Sequence, residues 1–303
     1  MSSMISPLRY PGGKARLAVY IEELLTKNRL DGGTYVEPFA GGAAIAWTLL
    51  DRKIVSKVYL NDLSESVYAF WYCVFNRTDD LCKKIKAAKV TVDEWDIQKK
   101  VYRSVNASVL DRAFATLFLN RTNRSGILSA GMIGGREQKG TYKIDCRFNK
   151  DSLTDRIKQI AAHGSKVILS RIDAREFLIE IQEGLGAKSL INIDPPYFDQ
   201  GRKLYLDFLQ PDDHRDLGEI VRSIGSPWIV TYDNTPEIKE IYEGCVQRYY
   251  GITYTAQTKR KGREILILSR LLKDVDIPPD INRTTFERMR RDEARAFCCE
   301  VVT

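Results

Sequence analysis

Tyr35-Val-Glu-Pro-Phe-Ala-Gly-Gly-Ala-Ala44 is a short β-rich run that enters a turn of small residues and continues into an apolar helix. Strand, glycine turn and helix in that order form the first half of a β-α-β unit. Similar β-rich runs recur outward from it at Lys57–Asn61, Lys166–Arg171, Ser189–Asp194, Trp228–Tyr232, Val246–Thr253 and Glu264–Ser269. Apolar residues fall at helical spacing over 14–28, 64–76, 173–183 and 212–224. Strands alternating with helices predict an α/β fold, a mostly parallel sheet covered on both faces. The last two runs are joined by Tyr254–Arg263 with no helix between them, which predicts an antiparallel pair. The expectation is a sheet of seven strands, of which the first is Tyr35–Pro38.

Residues 77–164 break this rhythm. Asp79–Lys89, Asp93–Val105 and Leu110–Leu119 have helical patterns, and a polar stretch rich in Gly and Ser follows at Asn120–Gly140. A mainly helical domain over 77–164 is therefore expected as an insertion into a discontinuous catalytic domain made of 1–76 and 165–272. Beyond Leu272 the pattern ends in Ile277-Pro-Pro-Asp280. A basic tail, 273–303, carries Arg283, Arg288, Arg290, Arg291 and Arg295 and receives no role.

Of the 303 residues, 44% are hydrophobic and 29% charged, the balance of a folded globular chain rather than a disordered one. Forty-seven Lys and Arg against 40 Asp and Glu leave a net charge of +7, which suits a polyanionic partner without requiring one. Six cysteines show no CxxC spacing and only two histidines are present, so neither a metal site nor a disulfide framework is expected. No run approaches the ~18 apolar residues of a membrane span, and the first residues lack a secretory pattern. A soluble, cytoplasmic protein is the expectation.

Three motifs sit at the ends of expected strands. In the first, Gly41 and Gly42 let the backbone approach a bound cofactor closely; a tight strand–helix turn is the alternative. The turn lacks the GxGxxG pattern of dinucleotide sites. Glu37 beside it would repel a pyrophosphate but favour a cofactor carrying an amine and a sulfonium. The second motif is Tyr59-Leu-Asn-Asp62, whose acid lies 21 positions after Gly41. An acid at that spacing can bond a ribose diol; Asp62 alone reads as a helix cap, and together with the glycine turn as a ribose contact.

The third motif is Ile191-Asn-Ile-Asp-Pro-Pro-Tyr-Phe198. An Asp-Pro-Pro-aromatic run arises by chance in roughly one chain in a hundred of this length. Two prolines remove backbone donors and fix φ, giving a rigid turn with outward carbonyl groups. Adenine's 6-amino nitrogen is a poor nucleophile because its lone pair is delocalised into the ring. A carboxylate and a carbonyl accepting its two protons would draw it toward tetrahedral geometry, and the aromatic offers a face to a base taken out of the helix.

With these motifs the chain resembles the Dam-type DNA adenine-N6 methyltransferases over nearly its whole length. The resemblance implies a seven-stranded, Rossmann-like methyltransferase sheet with a reversed last strand, S-adenosylmethionine as cofactor and no metal. It also implies a target-recognition domain in 77–164. Arg9-Tyr10-Pro-Gly-Gly-Lys14 resembles the family's first motif, with Tyr10 and Lys14 closing the cofactor pocket. Glu37, Pro38, Phe39, Ala40, Gly41 and Gly42 match its cofactor turn, Asp62 its ribose-binding acid, and Asp194, Pro195, Pro196 and Tyr197 its catalytic tetrapeptide. Asp194 also borders the cofactor. Asp173 stands where family members contact the cofactor's adenine region, with a helix cap as the alternative reading. Thr231-Tyr-Asp-Asn234 is placed at the target-base pocket.

Asn120-Arg121-Thr-Asn123-Arg124-Ser125-Gly126 resembles the family segment that faces DNA. Arg136 follows in a stretch with no acid between 120 and 136. Lys259, Arg260 and Lys261 are expected in a hairpin loop that grips the DNA backbone or is simply solvated. Ala43 replaces a third glycine of the family turn, and the segment after Ser125 departs from the residues that read GATC. Implied partners are double-stranded DNA and a cognate restriction endonuclease, with the enzyme a monomer in a bacterial cytoplasm or encoded by a phage or mobile element. The competing readings are the same chemistry on cytosine N4 or RNA adenine, and an inactive DNA-binding protein on the same fold.

Overall fold

Alternate residues of each central strand point to opposite faces of the sheet, and each face builds its own core. In the computed structural model, which describes residues 6–9, 17–199, 209–254, 260–277 and 280–281, the sheet orders its strands β3-β2-β1-β4-β5-β7-β6-β8. These are β1 (Thr34–Glu37), β2 (Lys57–Asn61), β3 (Val167–Ser170), β4 (Ser189–Ile193), β5 (Trp228–Asp233), β6 (Val246–Tyr254), β7 (Arg260–Leu268) and β8 (Asp280–Ile281). The first five are mutually parallel, and β7 runs antiparallel to both β5 and β6. The helices in chain order are α1 (Ala18–Lys27), α2 (Ala44–Asp51), α3 (Glu65–Asn76), α4 (Thr78–Ala87), α5 (Val92–Arg103) and α6 (Val109–Thr122). They continue with α7 (Lys150–Ala161), α8 (Ala174–Ile181), α9 (Pro211–Ser223) and α10 (Pro236–Ile241).

Tyr35, Leu190, Ile229, Leu266 and Leu268 face one core, with Leu24 of α1, Trp47 of α2 and Phe70 and Trp71 of α3. Their strand neighbours Val36, Ile191, Val230, Ile265 and Ile267 face the other, with Leu178 of α8, Leu217 and Val221 of α9, and Ile238 of α10. This period-two division between two apolar layers is why the strands read as continuous hydrophobic runs. Trp47 and Trp71 pack with ring centroids 4.8 Å apart, an aromatic pair of the kind that contributes about 1 kcal/mol beyond its area.

The expected α/β sheet is present, with its antiparallel hairpin, and three features differ from expectation. An eighth, two-residue strand joins the edge, parallel to β6. The chain beyond Leu272 packs back on the domain: Val275 is buried, Asp274 pairs with Arg248 of β6 at 2.5 Å, and Lys273 N donates to Asn28 at the end of α1. The packed fold therefore continues past Leu272. Arg260 and Lys261 lie in β7 opposite Tyr254 and Thr253, not in a loop, because the ladder runs to the end of the hairpin.

The inserted segment is helical, as expected, but has no separate interior. Leu117, Phe118, Phe148, Leu153 and Ile157 belong to the same core as Trp71 and Val74. The helix α6 explains this: it is buried on every side from Arg112 to Thr122, the pattern of a central helix rather than a surface one. Thr91, Ser108 and Asn149 accept from the backbone N–H groups of Glu94, Asp111 and Ser152, which sets the starts of α5, α6 and α7.

Candidate functional site

The strand order places β1 beside β4, the point where successive connections leave in opposite directions. Crevices at such switch points, outside the carboxyl ends of the strands, bind ligands in open α/β sheets. Here the 38–43 turn, the end of β2 and the segment after β4 converge. Asn61, fully buried at the end of β2, ties the 38–43 turn to the segment that follows β3: its Nδ2 donates to Pro38 O at 3.1 Å and to Ile172 O at 3.0 Å, and its Oδ1 accepts from Ile172 N and Ser170 Oγ. Asp62 Oδ2 accepts from Gly41 N at 2.8 Å, while Oδ1 accepts from Ser64 N ahead of α3. The cap reading of Asp62 is thus realised, and the same carboxylate fixes the glycine turn. Trp71 Nε1 supports that turn from below, donating to Gly41 O at 2.8 Å. Phe39 is half-buried, while Ala40 and Gly42 are buried.

Glu37 ends β1 and is 5% exposed. Burial pushes its carboxyl up to about 8, and the neighbouring charge of Asp194 adds to the rise. Asp194 follows the last residue of β4 and is half-exposed; Thr231 of β5 donates its hydroxyl to Asp194 Oδ1 at 3.1 Å. Pro195 is buried, while Pro196 and Tyr197 are half-exposed. The Tyr197 hydroxyl donates to Oε1 of Glu264 on β7, whose Oε2 accepts from Tyr250 on β6. Asp233 holds the next turn, its two oxygens accepting from Phe198 N and Asp199 N, each at 2.9 Å. Behind Phe198 the buried His214 ring lies at 5.1 Å, with Nδ1 2.8 Å from the Tyr232 hydroxyl. Burial drives this imidazole down to about 4, so it is neutral at pH 7.

The glycine turn, Asp62, Glu37 and Asp194–Tyr197 are thus brought to one end of the sheet. Asp173 instead caps α8, accepting from Arg175 N, and pairs with the Arg175 guanidinium that also reaches Asp213. This is the cap alternative.

The expectation that Asn120, Arg121 and Asn123 face DNA is corrected. Asn120 bonds Arg9 N, Arg9 O and Gly126 O; Asn123 is fully buried and accepts from Trp95 Nε1. Arg121 is buried, with Nε donating to Pro7 O at 2.6 Å. These residues lie in or next to α6, which runs three residues beyond its expected end. Arg124 is exposed and Ser125 half-exposed. Arg136 is exposed but forms a bidentate pair with Asp96 of α5, at 3.0 and 2.7 Å. Tyr10, Lys14 and Lys259 lie outside the described residues.

Two residues of the site escaped sequence reasoning. Glu264 had a signal: an acid opening the apolar run Glu264-Ile-Leu-Ile-Leu268, where a buried carboxylate calls for a partner. Asn61 had none beyond its place before Asp62.

The chain is 27% identical over 206 residues to the Type II methyltransferase M.MjaIII of Methanocaldococcus jannaschii, covering 63% of this chain and 68% of that one. Among solved structures, it is similar to a Pyrococcus horikoshii protein assigned as an RNA methyltransferase, with a TM-score of 0.41 and 9% identity over 89% of this chain and 87% of the other. It is also similar to a SAM-dependent methyltransferase of Agrobacterium tumefaciens, with a TM-score of 0.38 and 12% identity over 84% of this chain; it spans 61% of that protein. Among the described residues no helix is long and apolar enough to cross a membrane. The profile of one family matches residues 10–258, most of the sequence and all the motifs assembled above, and the chain belongs to that family, the D12 class N6 adenine-specific DNA methyltransferases.

Proposed function

We propose that this protein transfers a methyl group from S-adenosylmethionine to the 6-amino group of a flipped-out adenine at a specific site in duplex DNA. The observation that carries the reading is the position of Asp194: one residue beyond β4, accepting from the Thr231 hydroxyl, with its charge felt by the buried Glu37 and with Pro195-Pro196-Tyr197 following in the chain. The donor set fits the cofactor. Glu37, Asp62 and Asp194 are three carboxylates around one glycine turn, suited to an amine, a sulfonium and a ribose diol, and unsuited to a pyrophosphate.

Glu37, the Pro38–Gly42 turn and Asp62 hold the cofactor in this reading, with Tyr10 and Lys14 as its further contacts. S-adenosylmethionine supplies an electrophilic methyl group on sulfur. Tyr197 stacks on the extruded base, its ring held from the hydroxyl end by Glu264. Asp194 and the Pro195 carbonyl accept the two amino protons, which gives the nitrogen an in-line lone pair. The proton released on transfer leaves by Asp194, which reaches solvent. Neither a covalent enzyme intermediate nor a cysteine enters this scheme. Recognition of the site is assigned to 77–164 with Arg124 and Ser125, and grip on the backbone to the Lys259–Lys261 end of the hairpin. The partner implied by the family is DNA, with a restriction endonuclease where the gene is paired with one.

The test is to express wild type and Asp194→Ala in cells that lack adenine methylation and to map modified bases by single-molecule sequencing. Methyladenine at one short motif in wild type alone supports the reading. Unmodified DNA with folded, expressed wild type sinks it, and a nucleoside digest then distinguishes N4-methylcytosine, methylated RNA and an inactive binding protein.

A further inference from the structure

Pro195 and Pro196 have no backbone N–H, so Tyr197, Phe198 and Asp199 supply the first main-chain donors after Asp194. Asp233, at the end of β5, takes two of these three: Oδ1 accepts from Phe198 N and Oδ2 from Asp199 N, each at 2.9 Å. A carboxylate suits this task because it sets one oxygen against each donor, whereas an amide would turn its NH2 toward one of them. Burial raises the half-buried Asp233 carboxyl, and these two donors are the largest effects that oppose the rise.

The usual work of an acid at the end of a strand is to cap the helix that follows. Asp233 leaves that to Thr235, whose hydroxyl accepts from Ile238 N at the start of α10. Its own side chain reaches instead to residues 35 and 34 positions earlier. The neighbours of Asp233 converge on the same segment. Thr231 donates to Asp194 Oδ1 at 3.1 Å, ahead of the prolines. Tyr232, facing the other core, bonds the buried His214, whose ring lies 5.1 Å from that of Phe198. Across the ladder Asp233 stands opposite Glu264, which receives the Tyr197 hydroxyl. Two prolines in succession have fixed φ and move as a stiff unit, so the tilt of that unit is set where its two ends are tied.

We propose that Asp233 is a positioning residue for methyl transfer, its carboxylate setting the tilt of the Pro195-Pro196 unit and with it the aim of the Pro195 carbonyl. The inference rests on the reading of Asp194–Tyr197 as the catalytic segment. Asp233 acts through Phe198 and Asp199 and touches neither base nor cofactor. With those two N–H groups released, the unit is tied at the Thr231–Asp194 end alone, and the two acceptors of the amino protons lose their common direction.

The test compares Asp233→Asn and Asp233→Ala with Asn28→Ala, a control whose side chain ties the end of α1 to Lys273 ahead of β1. Amide hydrogen exchange is followed at Phe198 and Asp199 in the ligand-free protein, and methyl incorporation into duplex DNA gives kcat and both KM values. Asp233→Asn keeps one acceptor oxygen and should lower kcat about tenfold; Asp233→Ala keeps neither and should lower it about a hundredfold. Exchange at the two amides should quicken in the same order, with KM for S-adenosylmethionine and for duplex changed less than twofold. Asn28→Ala should lower the thermal midpoint and leave both kcat and that exchange as in wild type. Should Asp233→Ala not fold, the nearly isosteric Asp233→Asn carries the comparison. Faster exchange with unchanged kcat overturns the role and leaves the methyltransferase reading intact. A loss spread equally over kcat and both KM values also overturns it, since Asp233 would then only maintain the fold. Wild type that transfers no methyl group to DNA removes the reading and the role together.

Discussion

Tyr197 donates its hydroxyl to Glu264, so the aromatic that closes Asp194-Pro-Pro-Tyr197 is anchored by a strand 67 residues later in the chain. Glu264 is fully buried and satisfies both hydroxyls, of Tyr197 and of Tyr250, with one carboxylate. The reversed strand β7 thereby does more than close the sheet: it holds the Tyr197 ring by its hydroxyl.

Glu264→Gln keeps the shape but turns one acceptor into a donor, so one of the two tyrosine hydroxyls must reverse or lose its bond. Losing about 1.5 kcal/mol of orientation should lower kcat about tenfold, with KM for S-adenosylmethionine changed less than twofold. Steady-state methyl incorporation separates the two constants. Unchanged kcat would detach the ring's orientation from Glu264.

Glu37 links the site to pH. Its carboxyl is raised from 4.5 to about 8, so between these values the native state holds a proton that the unfolded chain has lost. Stability from this group is full below pH 4.5, declines as pH rises, and is gone above about 8. Glu37→Gln should remove that decline, making the ligand-free variant more stable than wild type by roughly 2–4 kcal/mol at pH 8 and little different at pH 4.5. Urea midpoints at the two pH values check this. Equal slopes in both proteins would mean that Glu37 ionises freely.

What could be read from the sequence was what depends on neighbours along the chain. Tyr35–Pro38 and Ser189–Asp194 were legible as strands because β-rich residues are contiguous, and Asp194-Pro-Pro-Tyr197 because its chemistry is packed into four positions. The partner of Arg136 was hidden for the opposite reason. A window from 120 to 136 holds no acid, yet Asp96 arrives from another helix. Asn120 and Asn123 looked like loop polarity, but the loop folds over them, and their amides supply the hydrogen bonds that its backbone needs. Burial and cross-chain pairing are properties of the fold, and polar residues that serve them resemble surface residues until the partners are known.

Gly126 bears on the same region. Its φ is +79°, and a Cβ there would stand 2.7 Å from Arg9 O and 2.9 Å from Arg9 Cβ. Gly126→Ala therefore meets backbone as well as a left-handed conformation that costs about 1–2 kcal/mol for an L side chain. The 6–9 segment should be displaced from Asn120, and the thermal midpoint should fall by several degrees. Proteolytic cleavage near Arg9 should quicken relative to wild type. An unaltered cleavage rate would show that Arg9 is not held by this contact.

Asn61 gives the sharpest separation between shape and hydrogen bonding. Its side chain both donates and accepts, joining the Pro38 turn to Ser170 and Ile172 across the end of β2. Asn61→Ala leaves these buried groups without partners and should cost ~3 kcal/mol, raising KM for S-adenosylmethionine because both turns at the cofactor crevice lose their tie. Asn61→Asp keeps the volume but sets a carboxylate against two carbonyl oxygens. Its neutral form can still donate one bond, so the new acid should hold its proton well above the usual carboxylate range. The variant should accordingly approach wild-type stability below pH 4 and lose ground as pH rises toward 8, the sign expected of a raised carboxyl. Chemical denaturation across that range, run beside Asn61→Ala as the pH-independent reference, measures it. A flat difference between the two variants would mean that the turns part enough to admit water, and that Asn61 fills space there rather than holding the crevice together.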